Sequence, residues 1–135
     1  MDVDLEAWLR GYLGRHGAAS GTVHAVEGEV MRLVAAVNIP PKVQEITSVI
    51  PKGKGMGGLA WEQGRPIATC NLQEDTSGQI RPGAKAVGAK AAIAFPVGEP
   101  PRLVVGIAWM EEIADDLNDP AVVARIAADI GDLPR

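Results

Sequence analysis

The chain has 135 residues, enough for one domain with a buried core, and its 47% apolar and 22% charged residues are ordinary for a globular protein. A net charge of −4 without a basic stripe excludes a nucleic-acid partner, no apolar run approaches the roughly 20 residues of a spanning helix, and the acidic Met1-Asp2-Val3-Asp4 start is no signal peptide, so the protein is expected in the cytoplasm, away from membranes. One cysteine excludes an internal disulfide and a Cys-rich zinc site, and two histidines without an HExxH pattern exclude the usual catalytic metal signature.

Leu5, Trp8, Leu9, Tyr12 and Leu13 follow helical spacing and predict an amphipathic helix over about 3–15, ended by Gly14 and Gly17. His16 reads as a surface histidine near that helix end. Two β-rich runs, 21–26 and 29–39, flank Glu27-Gly28 and predict a hairpin. Pro40-Pro41 breaks the chain, and a third apolar run, 46–50, leads into the glycine-rich stretch 51–58. A short helix over about 58–63 is stopped by Gly64 and Pro66, and a short strand over 66–70 follows. Residues 71–88 read as a long polar loop. Two buried strands, 91–97 and 103–110, are joined through Glu99-Pro100-Pro101 and are expected to pair as an antiparallel hairpin. The last element is a helix capped by Asp119, with Pro120 in its first turn and Val123, Ile126, Ala127 and Ile130 on one face. The order predicts a single α+β domain, 1–135, built around an antiparallel sheet.

Several residues invite chemistry. Gly53-x-Gly55-x-x-Gly58, with Asp75 downstream, matches the dinucleotide fingerprint, but a helix cut at Gly64 is too short for the crossover that motif requires. Glycines at a helix N-terminus also expose free amides at the positive end of the helix dipole, a setting for an anion or carboxylate. The expected donors lie around Gly57, Gly58, Leu59 and Ala60; the alternative is that these glycines serve only a tight turn and close packing. Cys70 has no base nearby in sequence and reads as a small buried hydrophobe. His24, without ligand-spaced partners, reads as a hydrogen-bonded strand residue rather than a haem ligand.

Gly53-Lys54-Gly55-Met56-Gly57-Gly58-Leu59-Ala60, then Gly64-Arg65-Pro66-Ile67, the acidic pair Glu74-Asp75, the run from Gly88 to Val97 and Val105-Gly106-Ile107-Ala108 come in the order used by GAF domains, which the chain resembles over nearly its whole length. The resemblance implies a central antiparallel sheet with the terminal helices on one face and a ligand pocket, under loops and the short helix, on the other. It also implies a sensory module that binds a small molecule and acts through a partner such as a sensor kinase; the cofactor, if any, is unknown. The implied ligand-binding set is Met56, Gly57, Gly58, Leu59, Ala60 and Trp61, with Ala92 and Ala94 as floor and Trp109 narrowing the pocket. This arrangement is similar to bacterial nitrate-receptor GAF proteins and suits a small anion or a carboxylate.

The GAF-fold free methionine-(R)-sulfoxide reductases are the enzymatic alternative. Their cysteines would fall near Met56 and Lys85, and their pocket acids near Ala92 and Trp109, leaving only Glu111 as an acid. A cysteine-to-disulfide cycle cannot run on one cysteine within one chain, so no catalytic residue is expected. A third alternative is a ligand-free dimerisation module. A homodimer through the terminal helices is expected in any case, with Val3, Tyr12 and Val122 supplying apolar surface.

Overall fold

The computed structural model describes residues 2–69, 90–111, 117 and 119–133. Helix α1 spans Val3–His16. Asp2 caps it by accepting a 3.0 Å bond from the Leu5 amide, which satisfies one of the first-turn donors. Gly14 stays inside the helix; Gly17, in the left-handed region, is the residue that ends it. Leu5, Leu9, Tyr12 and Leu13 form its buried face, as their spacing predicts.

Strands β1 (Ser20–Glu27) and β2 (Val30–Val37) form the expected hairpin, and their pairing is irregular between Val23 and His24. The stretch after Pro40 departs from the sequence reading. Pro41 stands in the first turn of a short helix, α2 (Pro41–Ile46), where its missing N–H costs nothing. Thr47 closes that helix with its hydroxyl and its amide both donating to the Val43 carbonyl. The apolar run 46–50 is therefore divided, and only Val49–Pro51 pairs with β2, as β3.

Helix α3 spans Gly55–Gln63, beginning three residues earlier than expected, and ends at left-handed Gly64. β4 (Ile67–Thr69), β5 (Ala91–Val97) and β6 (Leu103–Trp109) follow. Helix α4 (Pro120–Ala128) carries the predicted Asp119 cap, which accepts from the Ala121 amide at 2.9 Å, and runs into a 3-10 turn over Asp129–Asp132. The predicted loop 71–88 and Cys70 lie outside the described residues.

The strands make one six-stranded sheet in the order β3-β2-β1-β6-β5-β4, with antiparallel neighbours throughout. β5 and β6 pair antiparallel from Ala91–Trp109 to Val97–Leu103, so the expected late hairpin is present; β6 lies beside β1 at the sheet's centre, whereas β5 stands next to the edge strand β4. A short α3 leading to an antiparallel sheet removes the dinucleotide reading, which needs a parallel crossover.

Because side chains alternate along a strand, the sheet has two distinct faces. On one, α1 and α4 cover Val23, Ala35, Ile93, Phe95, Val105 and Ile107. Tyr12 belongs to this layer. It is fully buried, stacks on Trp8 and donates to the Ile126 carbonyl at 2.8 Å, so it offers no surface to a dimer. Burial, with the nearby Asp129 carboxylate, raises its phenol far above the usual range, against a smaller opposing effect of Arg15. On the other face α3 packs against β5 and β6 through Met56, Ala60 and Trp61, over Met31, Ala94 and Val104.

Candidate ligand pocket

The second face is incompletely covered. β1, β5 and β6 present small side chains there: Ala92 pairs with Ala108 and Ala94 with Gly106. Where residues this small stand in a row, the layer above cannot descend to close the gap, and a cavity of about 140 Å³ remains. Ala92, Ala94, Gly106 and Ala108 line its floor. Val43 of α2 and Thr47 at its end, with Ile39 and Ile50, form one wall. The start of α3, from Lys54 to Gly57, forms another.

The walls are mostly apolar, and the polar side chains come chiefly from one strand. Ser20, Thr22 and His24 alternate along β1 and all line the cavity. Their cross-strand partners Ala108, Gly106 and Val104 line it too, which fixes the face on which they stand. His24 is only 4% exposed, and its Nε2 lies 2.8 Å from the Thr47 carbonyl. A carbonyl only accepts, so Nε2 carries the proton and donates; the neutral ring then keeps a lone pair on Nδ1. Burial pushes this imidazole below its usual value, while the bond to Thr47 pulls weakly the other way. Ser20 is fully buried, and its Oγ has no hydrogen-bond partner among the described residues.

At the α3 end the backbone supplies donors. The Gly58 amide already donates to the Lys54 carbonyl at 3.1 Å, the first intrahelical bond. The amides ahead of it, on Gly55, Met56 and Gly57, have no acceptor one turn back, and Lys54 makes no side-chain cap. All three residues line the cavity. Gly55 has a φ of 68°, a conformation that disfavours side chains, and this lets the chain turn sharply from the Gly53 loop into the helix. Among the described residues lining the cavity none carries a carboxylate, and Lys54 is the one that carries a formal charge. No group of described residues could hold a metal ion.

Of the expected site residues, Met56, Gly57, Ala92 and Ala94 meet at this cavity. Gly58, Leu59, Ala60 and Trp61 are not among its lining. Gly58 serves packing: a Cβ there would stand 2.8 Å from the Pro51 carbonyl oxygen. Ala60 and Trp61 are buried in the cluster beneath α3, and the Lys52 ammonium lies 5.1 Å from the Trp61 ring. The donor set therefore moves one turn earlier than expected, because the helix starts earlier.

Trp109 is a correction. It pairs with Ala91, one position on from the Ala92–Ala108 pair, so it projects from the opposite face. There it is 5% exposed in the core under the terminal helices, and its Nε1 donates to the His16 carbonyl at 3.0 Å. Residues that sequence reasoning missed include Gly55 on α3 and Ser20, Thr22 and His24 on β1. The signal was available as a Ser-x-Thr-x-His alternation in an otherwise apolar strand, which places the three on one face together.

No protein-family model matches the sequence, and no curated protein matches it significantly. Solved structures do resemble the fold. The A. aeolicus Nlh2 GAF domain in an inactive state is 19% identical, with a TM-score of 0.72 over 98% of this chain and 82% of its own. The type II free methionine-R-sulfoxide reductase of Thermoplasma acidophilum is 16% identical, with a TM-score of 0.72 over 94% of this chain and 90% of its own. The Staphylococcus aureus NreA protein, mutated in its nitrate-binding site, is 12% identical, with a TM-score of 0.75 over 95% and 96% of the two chains. Likenesses at such identities concern architecture, and the architecture is the same in each case: the chain has the GAF-type fold.

Proposed function

We propose that this chain is a sensory module that binds a small anion or carboxylate in the cavity beside α3 and passes that state to a signalling partner. The observation that carries the reading is the set of amides on Gly55, Met56 and Gly57, which open onto an apolar cavity with no acceptor among the described residues. Such amides, at the positive end of a helix, stabilise negative charge, and low-dielectric walls strengthen the attraction. With no carboxylate among the described lining residues, a cationic ligand would find no counter-charge. The apolar floor favours a ligand with a short hydrocarbon body over a bare ion.

The similarity to NreA, which has a nitrate-binding site, and to the GAF domain of A. aeolicus Nlh2 supports a binding role. Reductases share the fold as well, but this sequence holds one cysteine, so binding without turnover is the reading adopted. The test is calorimetric titration of nitrate, phosphate, acetate and butyrate into the protein, beside an assay of methionine sulfoxide with a thiol reductant. Saturable binding of at least one anion without turnover is expected. Absence of binding by all four, or turnover abolished in Cys70→Ser, contradicts the reading.

A further inference from the structure

A buried hydroxyl without a partner loses the hydrogen bonds it would make in water, so it persists only where something else compensates. Ser20 is such a group: fully buried, without a partner among the described residues, and on the cavity face of β1 opposite Ala108. It does not stand beside the α3 amides. A Cβ on Gly57 would lie 3.9 Å from Val104, and Val104 pairs with His24, so the helix start covers the His24 end of β1. Ser20 stands four positions away along that strand, about 13 Å at the ordinary rise.

We propose that Ser20 is a second polar anchor for the ligand, and that the cavity takes a short carboxylic acid bearing a hydroxyl or carbonyl oxygen at its far end. This deepens the anion reading above and rests on it. Allowing about 3 Å for a hydrogen bond at each end leaves about 7 Å between the ligand's polar atoms. That is the reach of a hydrocarbon chain of about four to six carbons, and the apolar floor of Ala92, Ala94 and Ala108 suits such a chain. The Ser20 hydroxyl both donates and accepts, so it serves either a hydroxyl or a carbonyl. An apolar tail at that end leaves Oγ unsatisfied, which makes Ser20 a determinant of specificity rather than of binding alone.

The experiment compares butyrate with 4-hydroxybutyrate, and hexanoate with 6-hydroxyhexanoate, by calorimetry on the wild type and on Ser20→Ala. At least one hydroxy acid is expected to bind about five- to tenfold more tightly than its plain counterpart, the worth of one hydrogen bond, and Ser20→Ala is expected to erase that margin. Without ligand, Ser20→Ala should melt at or above the wild-type temperature, because it removes an unpaired buried hydroxyl. Should Ser20→Ala fail to fold, Ser20→Cys keeps the volume with a much weaker donor and should shrink the same margin. Equal binding of plain and hydroxylated acids by the wild type, or a margin that survives the substitution, overturns the role of Ser20 while the anion reading stands. Failure of all four acids while nitrate, phosphate or acetate still binds overturns this inference alone; failure of every one of these anions overturns the anion reading and this inference with it.

Discussion

Trp109 is held by the core on its ring and by the His16 carbonyl on its Nε1, both on the helix side of the sheet. Trp109→Ala should therefore cost about 3–5 kcal/mol in denaturant unfolding and leave the anion affinity of the folded protein unchanged. A changed affinity at unchanged stability would place the ring in the pocket after all. His24 gives a pH prediction. Its folded value lies below the usual 6.5, so as pH falls the unfolded chain takes up a proton that the folded chain resists. The stability owed to neutral His24 is present above that usual value and is lost as pH falls through it towards the depressed folded value. Unfolding midpoints at about pH 7.5 and about pH 5.5 should differ more for the wild type than for His24→Gln; equal differences would mean that the ring is not held neutral.

At the scale of single elements, adjacent glycines at the start of α3 have opposite jobs. A Cβ on Gly57 would find its nearest neighbours at 3.6–3.9 Å, ordinary contact, whereas one on Gly58 would press on the Pro51 carbonyl at 2.8 Å. Gly57→Ala should then be neutral or stabilising by up to about 1 kcal/mol, and Gly58→Ala should destabilise by about 1–3 kcal/mol, both read from denaturant melts. Similar effects at the two positions would refute the close approach. These elements also show what was legible in the sequence. Helices α1 and α4 announced themselves through caps and apolar spacing, and β5 and β6 through continuous apolar runs. α2 did not, because six residues show too little periodicity and the paired prolines read as a break rather than a helix start. The face of Trp109 was hidden for another reason: a shift of one residue in register reverses every side chain, and nothing local in the sequence reveals that Ala92 pairs with Ala108. The free amides of α3 lie one turn ahead of the expected Gly57–Ala60 set, since only the structure shows where the 58-to-54 bond begins.

For the whole molecule, the two layers divide the work. The helix layer holds the larger core, and Tyr12, Trp109 and Ile126 tie its helices to each other and to the sheet. The opposite layer leaves the cavity, with α2, β3 and α3 as its cover. The proposed homodimer rests on what the helix layer leaves outside, chiefly Val3, which is 76% exposed, and half-buried Val122. Light scattering should give twice the chain mass, and Val3→Glu should shift it towards the single-chain mass; a wild-type monomer at high concentration would refute the dimer. The central claim is that the cavity on the small-residue floor is where the ligand sits. Ala92→Leu tests it most directly, since three added carbons on the floor fill the space at a packing cost of about 1–3 kcal/mol. Calorimetric titration of the best-binding anion should show the affinity lost in a variant that still melts cooperatively; undiminished binding by folded Ala92→Leu would contradict the account.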